Sequence, residues 1–132
     1  MIKYNNLKKG DIVMSNYEGT MVRGEIIDLK KSSNQACILS GESEFWFSSN
    51  DLYTVPINDE ELAALGFEKL PQDDGSVKYT RGAFRMITPQ AGNFNEFDIW
   101  YREDKRHIVG PVFLHQLQNH HLDMTKIHLS AQ

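Results

Sequence analysis

Short strand-like runs separated by turns fill the first 55 residues, and this spacing constrains the fold more than any other feature. Between residues 7 and 55 there are five such runs, rich in β-branched and aromatic residues. Gly, Asn, Asp and Ser punctuate them, as is typical of tight turns between strands. So many short strands in so little chain predict a small, strongly bent β-barrel over residues 1–55.

The order of glycines in this half is similar to that of a known class of barrels. Gly10 and Asp11 precede the first strand, and Gly24 lies two residues before Ile26 in the second. This arrangement resembles Src-homology-three-like and Tudor-like small barrels, and the resemblance implies an architecture without an activity. Because a glycine inside a strand often marks an irregularity, Gly24 is predicted to form a bulge or a bend.

Pro56 ends the strand-rich segment, and a short helix is predicted directly after it. Asn58 can cap this helix, three acidic residues follow it, and Gly66 suits the C-terminal end. Ile57 and Leu62 have the spacing of a hydrophobic staple. Capping and the helix dipole account for the acidic triplet, so it is interpreted as structural.

The rest of the chain is predicted to complete an αβββα unit over residues 56–132. Asp74 and Gly75 indicate a hairpin turn, the charged run 101–107 is interpreted as a turn, and Pro111 precedes a terminal helix. The fold class is therefore α+β: a small barrel, then a short antiparallel sheet covered on one side by two helices. We expect this unit to pack on the barrel as one compact protein.

Two alternatives concern the charged residues of the meander. If the strands 82–88 and 94–101 pair, Arg85 is expected near Glu96 or Asp98 as an ordinary cross-strand charge pair. The functional alternative is a carboxylate pair for acid–base catalysis. No third polar partner is evident for it in the sequence, so the charge pair is preferred.

Composition excludes several classes of protein. The formal net charge is −4, and neither half of the chain is basic, which argues against a nucleic-acid partner. Cys37 is the only cysteine, so no intrachain disulfide or Cys-based zinc site can form. No run is apolar enough to suggest a signal peptide or a membrane span. We expect a cytoplasmic protein with no membrane partner.

Two further stretches resemble a group of small uncharacterised proteins common in Bacteroidetes genomes and their phages. They are residues 52–69, through Val55-Pro56-Ile57 and Gly66-Phe67-Glu68-Lys69, and residues 112–125, above all through His115-Gln116-Leu117-Gln118-Asn119. The resemblance implies the same order of barrel, helix, strands and terminal helix, and it supplies no mechanism. It also suggests a mobile-element or phage origin. The chain departs from the pattern at His120 and His121, where Leu and Tyr are usual.

The terminal helix raises the question of a metal site. Its candidate ligands are His115, His120, His121, Asp123 and His128. His115 and His120 are five residues apart, so they diverge by roughly 140° around a helix axis. His121 and His128 share a face only if the helix continues beyond Thr125. Packed or surface histidines are therefore preferred, and a metal-binding protein or metal-assisted hydrolase is the alternative.

No nucleophile–base pair is evident, so the sequence favours a non-enzymatic binding or adaptor protein without a cofactor. A protein partner or self-association is expected. The candidate binding residues are Trp46, Tyr53, His115, Gln118 and Asn119. Trp46 alternates with Phe45 and Phe47, and covering of Trp46 by the second half is preferred over exposure. A remaining alternative, nucleic-acid binding, would use Lys8, Lys9, Lys30 and Lys31 beside Trp46.

Overall fold

The structure is a computed structural model that describes residues 1–129. The chain divides into two compact units, Met1–Val55 and Pro56–Gln132. Each unit contains one five-stranded antiparallel sheet, and both α-helices belong to the second unit. The α+β class predicted from the sequence is confirmed.

The first unit is a meander whose last strand returns to its first. Its strands are β1 (Ile12–Tyr17), β2 (Thr20–Lys30), β3 (Gln35–Ser40), β4 (Ser43–Ser48) and β5 (Leu52–Tyr53). The order across the sheet is β4-β3-β2-β1-β5, so β5 pairs with β1. A short 3-10 turn, Ser49–Asp51, leads from β4 into β5. Five strands are confirmed, and closure into a barrel stays a prediction.

Gly24 brings β2 and β3 unusually close together. A Cβ at this position would overlap the Ile38 side chain and lie 2.8 Å from the Leu39 carbonyl oxygen. The register between the strands breaks between Ile26 and Asp28, which is two residues beyond the predicted position. The bulge prediction was therefore wrong in place, because Gly24 serves the close approach of the two backbones.

The core of the first unit lies on one face of this sheet. Its sheet residues include Val13, Ile26 and Ile38, all at most 1% exposed. Ile2 and Leu7 from the N-terminal segment complete the same cluster. Alternate residues of a strand point to opposite faces, so the spacing of these apolar residues decides which face is buried.

The second unit opens with α1 (Asp59–Ala64), and its predicted caps are confirmed. The Asn58 Oδ1 accepts a hydrogen bond from the Glu61 backbone N–H at 2.8 Å. Ile57 and Leu62 are both buried, as a hydrophobic staple requires. Gly66 adopts a left-handed conformation with φ of 88°, which ends the helix.

The second sheet has more strands than predicted. Its strands are β6 (Glu68–Pro71), β7 (Val77–Arg81), β8 (Phe84–Thr88), β9 (Glu96–Tyr101) and β10 (Asp104–Val109), in the order β10-β9-β8-β7-β6. The αβββα description was therefore wrong in number, since five strands replace three. The charged run at 101–107 contains only a two-residue turn, Arg102 and Glu103, followed by β10. Because β10 is an edge strand with mostly exposed residues, its polar composition resembles a turn.

Both helices contact the same face of the second sheet. The Tyr79 hydroxyl in β7 donates to Asp59 of α1 at 2.6 Å. The second helix, α2 (Leu114–Thr125), places His121 against Phe84 of β8, with ring centroids 4.7 Å apart. Buried residues on this face include Val77, Tyr79, Phe84, Met86, Phe97 and Ile99. The outer face of this sheet carries polar and charged side chains.

Candidate functional site

An aromatic groove opens on the first sheet, on the same face as its core. The cavity has a volume of about 210 Å³ and is lined by residues of four strands: Ser15, Tyr17, Val22, Ile38, Ser40, Ser43, Phe45 and Phe47. In β1, the face that buries Val13 continues through Ser15 to Tyr17. The N-terminal residues Ile2 and Leu7 pack on the buried part of the face. The groove is thus the continuation of the core surface towards the other end of the sheet.

The aromatic side chains of the groove contact each other across the sheet. Tyr17 lies against Phe45 with ring centroids 5.1 Å apart, and against Phe47 at 6.4 Å. Tyr17 is 42% exposed and Phe45 is 46% exposed. Such pairs expose large apolar area at little cost in side-chain entropy, and they resemble the anchors of protein-binding surfaces. An exposed aromatic cluster of this kind is an informative departure from the usual surface.

Two carboxylates lie in the turns at one end of the groove, and a third lies near that end on the opposite face of β4. Glu18 lies in the turn between β1 and β2, and Glu42 lies in the turn between β3 and β4. In an antiparallel meander these alternate turns occupy the same end of the sheet. Glu44 follows at the start of β4. None of the three forms an ion pair with another residue of the described chain, 1–129. This end of the first sheet therefore carries carboxylates that have no ion-pair partner among the described residues.

Two of the three serine hydroxyls that line the groove are hydrogen-bonded to backbone carbonyls. The Ser15 hydroxyl donates to the Val22 carbonyl at 3.2 Å, and the Ser40 hydroxyl donates to the Arg23 carbonyl at 3.0 Å. No histidine or carboxylate is among the lining residues. A serine nucleophile needs a base within hydrogen-bond reach, and neither hydroxyl has one here. The groove suits recognition of apolar groups and lacks the machinery for nucleophilic catalysis.

The predicted residues Trp46 and Tyr53 belong to the first unit but lie outside the groove. Trp46 alternates with Phe45 and Phe47, so its ring projects from the opposite face of β4. It is 42% exposed, and the Lys30 ammonium lies 5.1 Å from its ring centroid. Tyr53 is half-buried and pairs with Met14, which also points away from the groove.

The predicted residues His115, Gln118 and Asn119 belong to the second unit. His115 is 3% exposed and Gln118 is fully buried, while Asn119 is half-buried. The Gln118 side-chain amide donates to the Leu129 backbone carbonyl at 2.7 Å. Their burial assigns His115 and Gln118 to the packing of α2 within the second unit.

The alternative ligand set on α2 is engaged by protein groups. Arg106 of β10 pairs with Asp123 at 2.8 Å and lies 3.5 Å from the His120 Nδ1. The His121 Nδ1 lies 2.7 Å from the Ile127 carbonyl, to which it donates. The helix ends at Thr125, and Lys126 is left-handed, so the condition for His121 and His128 to share a helix face is not met. Within residues 1–129, no three His, Cys, Asp or Glu side chains are grouped to hold a metal ion.

Burial shifts the pKa values of the two adjacent histidines of α2, His120 and His121, in the same direction. Desolvation lowers the pKa of both His120 and His121. The Arg106 guanidinium contributes to the shift at His120, and the Arg81 guanidinium contributes at His121. Both imidazoles are therefore favoured in the neutral form, which suits packing within the unit.

The outer face of the second sheet carries charge pairs that differ from the predicted ones. Arg85 is opposite Trp100, and its guanidinium lies 4.5 Å from the indole centroid, so its predicted pairing with Glu96 or Asp98 was wrong. The two carboxylates instead bind His107, at 2.6 Å from Asp98 and 3.0 Å from Glu96. These contacts, chiefly the Asp98 hydrogen bond, raise the pKa of His107.

A cavity of about 210 Å³ lies beside this cluster and is lined by Ile87, Pro89, Glu96, Phe97, Asp98 and His107. Its two carboxylates, Glu96 and Asp98, both contact the His107 ring, and the Lys105 Nζ lies 3.8 Å from Asp98. Because both ring nitrogens of His107 are held, the imidazole has no free lone pair to act as a base or a ligand. This cluster is a cross-strand charge network and does not form an acid–base pair.

No protein-family model, curated protein or solved structure matches this chain. Among the described residues, no helix has the length and apolar character needed to cross a membrane. What the protein does is therefore inferred from its own side chains, and the groove of the first unit has the arrangement most suited to a ligand.

Proposed function

We propose that this protein is a non-enzymatic binding protein whose aromatic groove receives apolar side chains of a protein partner. The observation that carries the proposal is the exposure of Tyr17 and Phe45, which stack on each other at the open end of a core surface. A partner's apolar side chain would complete that surface and release the water in contact with it. Burial of such anchors supplies much of the affinity in protein interfaces.

The strand arrangement supports the small-barrel interpretation on which the proposal builds. A meander of four strands, a 3-10 turn and a short β5 that pairs with β1 would allow the sheet to curl round its core. Strong curvature makes one sheet face concave, and concave apolar surfaces are the usual places for ligands. The Ser15 and Ser40 hydroxyls of the groove donate to backbone carbonyls, which favours binding over catalysis.

The acidic end of the groove defines the chemistry of the partner. Glu18, Glu42 and Glu44 have no counter-ion among residues 1–129, so a segment carrying Lys or Arg beside its apolar residues would be attracted to it. The alternative of a nucleic-acid surface is less well supported, because its Lys30 is stacked on Trp46 and its Lys9 pairs with Asp28 at 3.5 Å.

Selection of random peptides displayed on phage tests the proposal. We expect the wild-type protein to enrich peptides that combine apolar and basic residues, and Phe45→Ser to lose that enrichment. Met21→Ser is the matched control, since it removes an equally exposed apolar residue of β2 from the opposite face of the same sheet. Equal enrichment by wild type and Phe45→Ser, or none by wild type, would contradict the proposal.

A further inference from the structure

The strand β4 forms an open edge of the first sheet. It is the outermost strand on its side of the sheet and pairs only with β3 among the described residues. Natural edge strands are commonly blocked by proline, lysine or a bulge, because their free backbone groups can pair with another chain. β4 has the sequence Ser-Glu-Phe-Trp-Phe-Ser and a continuous register with β3 from Gln35↔Ser48 to Ser40↔Ser43. None of these blocking features is present.

The turn before β4 fixes which of its backbone groups face the open edge. Two residues, Gly41 and Glu42, separate Ser40 from Ser43. In a two-residue hairpin the flanking residues form a hydrogen-bonded pair, so Ser43 directs its N–H and C=O towards β3. Alternation then directs the N–H and C=O of Glu44 and Trp46 outwards. These groups form a ready template for an additional strand.

The side chains along this edge require an alternating ligand. One face presents Phe45 and the groove, and the other face presents Glu44 and Trp46. An added strand would place alternate side chains on these two faces. Apolar residues would enter the groove, and the residues between them would meet a carboxylate and an indole. Lys or Arg suits that second face through an ion pair and a cation–π contact.

We propose that the partner binds by strand addition to β4, as an extended segment in which apolar residues alternate with Lys or Arg. This rests on the proposed function and adds the mode of binding and the pattern of the ligand. A second copy of the chain fits less well, because its own β4 carries no Lys or Arg to pair with Glu44. The net charge of −4 opposes that association further.

A short synthetic peptide of alternating Lys and Val with a central Phe tests the inference on the full-length protein. Its binding is followed by amide NMR and by hydrogen exchange. We expect the amides of Glu44 and Trp46 to become protected when the peptide binds. Two further peptides are N-methylated on alternate residues. One carries the methyl groups on the residues whose N–H groups face β4, and the other carries them on the residues whose N–H groups face away. Only the set facing β4 donates to it, so one modified peptide should bind at least about tenfold more weakly while the other binds normally.

The outcomes separate the mode of binding from the function itself. If both modified peptides bind like the parent, and Phe45→Ser still weakens binding, groove recognition holds and strand addition is wrong. If the parent peptide does not bind, or binds Phe45→Ser equally well, the groove proposal fails with it. If Glu44 and Trp46 become protected when the protein alone is concentrated, the occupant of the edge is a second copy, and the inference is overturned.

The charge pattern has its own control. A matched peptide with Glu in place of every Lys should bind at least about tenfold more weakly to the wild-type protein. The variant Glu44→Lys changes an exposed side chain without altering the groove, and it should reverse part of that preference. Equal affinity of the two peptides for the wild-type protein would contradict a basic partner.

Discussion

The two sheets of this protein are built alike and finished differently. Both are five-stranded antiparallel sheets with one buried face. In the second unit both helices contact that face, through Tyr79 and Phe84, and the charged groups of the outer face are matched, as at His107. In the first unit the buried face ends in exposed Tyr17 and Phe45, and the nearby carboxylates have no counter-ion in the described chain. Exposed aromatic residues favour a binding surface where the neighbouring charged groups also have no ion-pair partner.

This contrast predicts that similar aromatic substitutions in the two sheets have very different effects on stability. Phe84 is 1% exposed and packs against Phe67 and His121, so Phe84→Ala should lower the free energy of unfolding by about 3–5 kcal/mol. Phe45→Ala, at a half-exposed ring, should cost below about 1 kcal/mol and act mainly on binding. Denaturant titration measures both. Equal losses would mean that the groove is part of the core.

Each unit contains one tryptophan, which allows the two to be followed separately. Trp46 reports on the first unit and Trp100 on the second, and the chain has two in all. The variants Trp46→Phe and Trp100→Phe provide single-tryptophan backgrounds. In these backgrounds Phe84→Ala should shift the Trp100 transition, and Phe45→Ala should leave it unchanged.

The next largest effect is expected at Gly24, where β2 and β3 approach closely. A methyl group there would overlap Ile38 and crowd the Leu39 carbonyl, so Gly24→Ala should destabilise the first unit by about 1–3 kcal/mol. The transition followed by Trp46 fluorescence measures this loss. Gly24 does not have a left-handed φ, so the loss reports on the crowding by Ile38 and Leu39. A loss well below about 1 kcal/mol would contradict the close approach of the two strands.

A smaller effect is expected at the cap of α1 in the second unit. Asn58→Ala removes the hydrogen bond to the Glu61 backbone N–H and should cost about 1 kcal/mol. Asn58→Asp retains an acceptor and should be nearly neutral. Thermal or denaturant unfolding of the two variants, followed at Trp100, gives the comparison. Equal stability of Asn58→Ala and the wild type would show that this hydrogen bond does not stabilise α1.

The smallest effect is a pH dependence from His107 on the exposed face of the second sheet. Asp98 and Glu96 raise its pKa in the folded state, so folding favours the protonated imidazole. Its stabilising contribution is complete below the unfolded pKa, near 6.5, and is lost as the pH rises through the higher folded value. His107→Gln should flatten that part of the profile for the second unit. An unchanged slope would show that the pair of carboxylates does not hold the imidazolium.

His121 should make the free energy of unfolding fall as the pH is lowered, whereas the contribution of His107 falls as the pH is raised. The two histidines can therefore be distinguished. Burial lowers its pKa, so its contribution is present above the unfolded value and is lost as the pH falls through the folded one. This loss should persist in His107→Gln.

The local signals of the sequence were sufficient for much of the fold. Turn residues defined the five strands of the first unit, and Asn58, Ile57 and Gly66 identified α1 because capping depends on residues close in sequence. β10 was missed because an exposed edge strand does not require apolar alternation. The position of the bulge was misjudged at Gly24, since a close approach between strands is a tertiary property that a single glycine does not specify.

The candidate site was less accessible from sequence. Alternation in β4 correctly placed Trp46 on the opposite face from Phe45 and Phe47. It does not show how much of the apolar face is covered by other residues of the core. That depends on where Ile2 and Leu7 pack, which no local pattern encodes. Tyr17 was missed for this reason, although its spacing from Val13 and Ser15 places it on the core face. His115 and Gln118 were proposed as binding residues, and their polarity gave no indication of how deeply they are buried.

The hydrogen bonds that α2 makes to residues beyond its C-terminal end affect the order in which the two units can fold during synthesis. Gln118 and His121 donate to the carbonyls of Leu129 and Ile127, which the ribosome adds later than the helix itself. Until those residues leave the exit tunnel, two polar side chains of α2 lack the acceptors that make their burial tolerable. The first unit has all five of its strands once Tyr53 has emerged. During synthesis from the N-terminus, the first unit should therefore be able to fold before Ile127 and Leu129 of the second unit have emerged.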